Sequence, residues 1–95
     1  MTKLIQTIFA AALLLLPVVA QAEEAQIAAL TQQIAANPGD KNLYNKRSQL
    51  YHAAGQHQQA MADLEKSCQL EADKDVAELC MMEVKDYAAT YHLPR

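Results

Sequence analysis

Residues 37–72, NPGDKNLYNKRSQLYHAAGQHQQAMADLEKSCQLEA, hold two stretches of helical periodicity that meet at Gly55. The first, from about Lys41 to Ala54, places Leu43, Tyr44, Leu50, Tyr51 and Ala54 on one broad face. The second, from about His57 to Leu70, carries Ala60, Met61, Leu64, Ser67 and Cys68 along one side, where small residues permit close approach. Gly55 ends the first stretch, because glycine adopts the left-handed backbone that closes a helix at little cost. Ahead of both, Asn37-Pro38-Gly39-Asp40 reads as a stop and a restart. Pro38 removes a backbone donor, Gly39 permits a sharp turn, and Asp40 can accept a hydrogen bond from a free amide of the next helix. Two helices joined by so short a turn are antiparallel neighbours, so the fold is expected to be all-α.

Outward from this hairpin the same periodicity continues. From Glu23 to Ala36 the apolar residues Ile27, Leu30 and Ile34 recur at steps of three and four, and the acidic pair Glu23-Glu24 suits the positive end of a helix dipole. On the other side, Asp75-Val76-Ala77-Glu78 has capping-box spacing, with Asp75 as the expected cap of a last helix over 74–91. Its inner face is expected to hold Val76, Cys80, Val84, Tyr87 and Tyr91, widened by Leu79 and Ala88. Lys74, Glu78, Lys85 and Asp86 read as its solvated side, and Leu93-Pro94-Arg95 as its stop.

The chain opens with Lys3, an apolar run from Leu4 to Val19 broken by Gln6, Thr7 and Pro17, and Ala20-Gln21-Ala22 before the acidic pair. This is the pattern of a secretory signal peptide over 1–22, cleaved after Ala22, and the run is too short and interrupted for a membrane anchor. The membrane is then touched only through this transient leader. The expected domain, 23–95, holds about four helices and carries seven Lys plus Arg against eleven Asp plus Glu. A chain this acidic, with no basic face, is not expected to bind nucleic acid, whose phosphates need one. The domain contains no Phe or Trp, and its only aromatic rings are Tyr44, Tyr51, Tyr87 and Tyr91. Its core must be lean, so a staple, a partner or self-association is expected.

The hairpin resembles a single tetratricopeptide repeat, whose signature is a large aromatic, Leu-Gly, Tyr, then Ala, an aromatic and a closing Pro at fixed spacing. Those places hold Tyr44, Arg47, Ser48, Tyr51, Ala60, Leu64 and Ala72, so that Tyr51, Gly55 and Ala60 match and Ser48 stands for the small Gly. Arg47, Leu64 and Ala72 depart from it, while Pro38 sits one 34-residue period before Ala72. The best match spans 41–72, with 23–36 like the end of a truncated preceding repeat and 74–91 like a terminal cap. A generic antiparallel helical bundle is the alternative.

Cys68 and Cys80 lie six residues either side of Lys74 and can face each other across a helical hairpin. In an exported protein a structural disulfide is expected of them; a redox pair would place its cysteines two residues apart at a helix start. His52, His57 and His92 never share the i, i+4 spacing of a zinc helix, and they read as surface histidines near helix ends. No phosphate loop, nucleophile elbow or matched carboxylate pair is present. Neither enzyme activity nor a metal or other cofactor is therefore expected.

What remains is a polar stripe, Asn42, Asn45, Gln49 and His52, at steps of three, four and three along the second helix. In repeats of the family this chain resembles, the equivalent helix lines a concave surface that holds an extended peptide. The four are accordingly the candidate contacts for a protein or peptide partner, although an ordinary hydrated helix face has the same pattern. The expected function is a periplasmic or secreted, non-enzymatic interaction module or small adaptor. A small disulfide-stapled secreted regulator or inhibitor is the alternative.

Overall fold

A computed structural model describes the backbone of residues 17–95 and the side chains from Gln21 onward. Of the expected leader, residues 1–16 lie outside the described residues. The described chain is four α-helices without a strand: α1 (Pro17–Ala36), α2 (Lys41–Ala53), α3 (His57–Gln69) and α4 (Lys74–Thr90). Helix α1 begins earlier than the sequence suggested, so Ala20-Gln21-Ala22 and the acidic pair lie inside it. None of the described helices is long and apolar enough to cross a membrane.

Each helix packs only on its neighbours in sequence: α1 on α2, α2 on α3, α3 on α4. The backbones of α1 and α3, and of α2 and α4, do not touch. Two small cores result in place of one. Ile34, Leu43 and Tyr44, with Leu30 and Leu70 against them, join α1 to the hairpin. Met61, Cys68, Val84 and Ala88, flanked by Leu64, Met81, Tyr87 and Leu93, join α3 to α4.

The turns follow from their residues. Gly55, at φ +75°, closes α2 in a Schellman arrangement, with Gln56 N–H donating to Tyr51 C=O at 2.8 Å and Gly55 N–H to His52 C=O at 3.0 Å. The end of α4 repeats the motif with a non-glycine residue. His92 sits at φ +54°, Leu93 N–H reaches Ala88 C=O at 2.8 Å, and the Leu93 side chain packs into the second core. Asp40 caps α2 by accepting from Asn42 N–H at 3.0 Å. The cap of α4 is Asp73, not Asp75: its carboxylate accepts from Asp75 N–H at 3.0 Å and Val76 N–H at 3.2 Å. An Asp one residue ahead of the helix can meet those free amides, whereas Asp75 already lies in the first turn.

Between α2 and α3, Ser48 and fully buried Ala60 let the two backbones approach, and Ser48 Oγ donates to Ala60 C=O at 2.7 Å. Beside them lies the polar centre of the fold. Arg47 grips the buried carboxylate of Asp63 with two bonds, Nε to Oδ2 and Nη2 to Oδ1, each 2.7 Å. Its Nη1 donates to Thr31 Oγ1 at 3.0 Å, so one guanidinium ties α1, α2 and α3 together. The hydrogen bonds to Asp63 raise the Arg47 pKa further above its ordinary value despite partial burial. Tyr44 and Tyr51 flank the guanidinium at 6.0 and 5.7 Å from their ring centres. Tyr44 is buried and donates its hydroxyl to Pro38 C=O at 3.0 Å, while Tyr51, placed in the core by its periodicity, is only half-buried. At the far end of the hairpin Lys41 pairs with Glu71 and holds that carboxyl below its usual range, aided by Asp73 N–H.

The face of α4 differs from its sequence reading. Val84 and Ala88 are buried and Cys80 and Tyr87 half-buried, but Val76 and Leu79 are exposed, at 47% and 63%. The Cys68–Cys80 disulfide, with Cα atoms 5.5 Å apart, anchors α4 to α3 through Cys80, while its neighbour Leu79 faces outward. No further helix covers that side among the described residues.

This staple closes a short loop between the two helices of the second core, where the chain-entropy account assigns it about 3 kcal/mol. Replacing both cysteines with serine is expected to lower the unfolding free energy by about 2–3 kcal/mol, with α4 losing hydrogen-exchange protection before α2. Urea unfolding and exchange read by mass spectrometry check this; uniform loss of protection across all helices would contradict it.

Candidate functional site

Because successive helices run antiparallel, α2 and α4 lie parallel on one side of α3, and the space between them is a groove. Its volume is about 470 Å³, and it is lined by Asn45, Ser48, Gln49 and His52 from α2, Leu64 from α3, and Tyr87, Thr90 and Tyr91 from α4. Three of the four stripe residues, Asn45, Gln49 and His52, therefore border one cavity. Asn42 is exposed on the first turn of α2 and is not among the lining residues. The aromatic edge of α4 completes the site from the other wall.

The lower end of the groove is closed by side chains. His52 near the end of α2 and His57 at the start of α3 flank the Gly55 turn, which brings their ring centres to 5.3 Å. Both direct Nδ1 at the hydroxyl of Tyr87, at 2.9 Å from His52 and 2.8 Å from His57. Tyr91 stacks on His57 with centroids 3.8 Å apart and planes within 12°, and meets His52 edge-on at 5.7 Å. A hydroxyl carries one proton, so Tyr87 donates to one Nδ1 and accepts from the other. Burial, and secondarily Tyr91, push the Tyr87 phenol above its ordinary value.

The sequence read the histidines as surface residues near helix ends, and they lie there, with His52 and His92 exposed and His57 half-buried. Two of the three also meet in this cluster, and the spacing that would have revealed it is their placement three residues before and two after the turn glycine. His92 lies exposed beyond α4. Among the described residues no three His, Cys, Asp or Glu side chains gather as a metal set. Two other cavities exist among the described residues. One of about 480 Å³ lies on the opposite flank of α4, over Cys68, Met81 and Met82, and mixes Lys74, Glu78 and Lys85 at its rim. Another of about 420 Å³ lies between α1 and α2, around Leu30, Lys46 and Leu50. Although the first is marginally larger, the α2–α4 groove alone combines amides, hydroxyls and aromatic faces, the groups that fix a ligand by hydrogen bonds and stacking. Set against known protein families, characterised proteins and solved structures, the chain matches none.

The raised Tyr87 phenol carries a sign. Its neutral form is favoured in the fold, so its contribution to stability is present below the ordinary phenol range, about pH 10, and is lost as pH rises through the folded value. Ultraviolet titration of the native protein is expected to show a tyrosinate step above that range that Tyr87→Phe removes. A titration curve unchanged in the variant would contradict this.

Proposed function

We propose that the protein is an exported, non-enzymatic interaction module of tetratricopeptide type that binds an extended segment of a protein partner in the α2–α4 groove. The observation that carries this reading is that Asn45, Gln49 and His52 share one cavity with Tyr87, Thr90 and Tyr91. Packing restricted to sequence neighbours supports the repeat reading, since stacked helical hairpins contact only the adjacent unit. The bond from Ser48 to buried Ala60 supports it too, at the two positions where the repeat needs small residues. Amide side chains pair with a peptide backbone in either direction, and the tyrosine rings offer apolar faces to its side chains. The disulfide is compatible with the oxidising compartment that export would reach.

A second reading, a disulfide-stapled regulator or inhibitor, draws on one observation: Leu79 and Met82 on α4 are 63% and 60% exposed beside the staple. In that case the partner covers α4 from outside and leaves the groove open.

Affinity capture from the cell envelope, followed by titration of the retained partner, separates the two. Triple replacement of Asn45, Gln49 and Thr90 with alanine is expected to weaken binding about tenfold or more, at about 0.5–1.5 kcal/mol for each lost hydrogen bond. Exposed as Asn45, Gln49 and Thr90 are, the melt should stay within about 0.5 kcal/mol of wild type. Unchanged affinity in the folded variant, with loss in Leu79→Asp, would move the site to the outer face of α4.

A further inference from the structure

We propose that Nδ1 of His52, Nδ1 of His57 and the hydroxyl oxygen of Tyr87 form a site for a divalent transition-metal ion of the copper(II) class, at the lower end of the α2–α4 groove. This goes beyond the peptide reading and does not depend on it.

The two histidines stand on either side of Gly55 and belong to different helices, so no spacing within one helix reveals them. The turn brings their ring centres to 5.3 Å, and both rings direct the same atom, Nδ1, at one oxygen on α4, at 2.9 and 2.8 Å. Two imidazoles alone fall short of a metal set, and the phenol oxygen between them is the third donor. Hydrogen bonding by itself does not demand this convergence. His52 is exposed, and water could serve its nitrogen as well as Tyr87 does. The donors are also braced before any ion arrives: Tyr91 stacks on His57 with centroids 3.8 Å apart and meets His52 edge-on at 5.7 Å.

The spacing selects the metal. Bonds from such an ion to nitrogen or oxygen are about 2.0–2.1 Å long, so donors at a right angle lie about 2.8–3.0 Å apart and tetrahedral donors about 3.3–3.4 Å apart. The 2.9 and 2.8 Å separations from the Tyr87 oxygen to the two nitrogens match the right-angled arrangement. Nitrogen and oxygen donors at right angles are the tetragonal preference of copper(II), which also heads the affinity order of the divalent first-row metals. The rings now aim at the oxygen, and each turns to aim at an ion beside it, a movement of side chains and not of helices. Because the groove reaches His52 and Tyr87, the ion has an entry path and water for its remaining positions.

The proton balance is the same whichever ring donates. In the two hydrogen bonds the hydroxyl and one Nδ1 each carry a proton. On binding, the ring proton moves by way of water to Nε2 of the same imidazole, the phenol proton passes to water, and three lone pairs are left for the ion. Burial opposes a bare phenolate at Tyr87, and the charge of the ion offsets that opposition.

The test is a titration of Cu²⁺ alone into the full chain, without a tag and freed of its leader if the cell removes it, at about pH 7.5, where imidazoles are mostly neutral. Electron paramagnetic resonance is expected to show two coupled imidazole nitrogens, and the visible spectrum a phenolate-to-copper charge-transfer band. In calorimetry His52→Ala and His57→Ala should each weaken binding about a hundredfold or more, since losing a ligand costs at least what losing its supporting contact does. Tyr87→Phe should remove the band and weaken binding about tenfold. His92→Ala, outside the cluster, should change nothing, and circular dichroism checks that each variant keeps its helices. Unchanged binding in the double variant of His52→Ala with His57→Ala would put the copper on the amino terminus or His92 and overturns the site. A band that persists in Tyr87→Phe, or no binding by the wild type, overturns it too. No peptide enters this measurement, so it fails or succeeds independently of the peptide reading, which the partner titration decides.

Discussion

The pair of half-buried Arg47 and buried Asp63 is the constraint on which the other contacts depend. A carboxylate with 7% of its side chain exposed carries a high desolvation cost unless it is paired and hydrogen-bonded, and here both oxygens are taken by one guanidinium. That guanidinium has a fixed planar fork, so gripping Asp63 on α3 and Thr31 on α1 fixes how both sit against α2. Three helices without Phe or Trp would otherwise rest on a few leucines, alanines and a tyrosine. Ser48, next to Arg47, and Ala60, about one turn before Asp63, meet beside the pair that fixes α2 against α3.

This arrangement makes a chain of helices whose interior is divided. Because the backbones of α2 and α4 each lean on α3, and α2 meets α4 through His52 against Tyr87 and Tyr91, a groove opens between them and its walls are free to carry polar side chains. A four-helix bundle of the same length would have filled that space with core. The disulfide serves the same architecture at the other end, since α4 rests on α3 alone and has no second neighbour among the described residues. The groove and the sparse packing thus come from one cause: the described helices are too lean to close on themselves.

Much of this was legible in the residues. Helix starts at 41, 57 and 74 followed from Asp40, Gly55 and the apolar steps, with the ends one residue short of the expected 54, 70 and 91, and Cys68 and Cys80 pair as their placement about Lys74 suggested, although Lys74 opens α4 and is not the centre of the turn. The close contact at Ser48 and Ala60 was readable from the repeat signature. Three features were not. Arg47 stood where a leucine was wanted, and only the fold shows that buried Asp63, well inside the neighbouring helix, converts that departure into an ion pair; charge spacing within one helix cannot report a partner on another. The rotation of α4 that exposes Val76 and Leu79 depends on where the disulfide pins Cys80, which an amphipathic pattern with apolar residues on both sides leaves undecided. The histidine and tyrosine cluster joins positions 35 residues apart and needs the parallel placement of α2 and α4, a tertiary fact. Of the polar stripe, three residues share the groove and Asn42 does not, because the stripe runs the length of α2 while the cavity covers its lower part.

A double-mutant cycle on Arg47 and Asp63, followed by urea unfolding, tests the account where it is most exposed. Removing one partner of a doubly bonded pair around a buried carboxylate leaves an uncompensated charge, so Asp63→Leu alone is expected to cost about 3 kcal/mol, with Arg47→Met close to it. The double variant of Arg47→Met with Asp63→Leu should recover most of that loss, since apolar residues of similar size fill the space without a buried charge. A cost below about 1 kcal/mol for Asp63→Leu, or losses that simply add in the double variant, would show that the pair is a surface contact and that the three helices are held by something else.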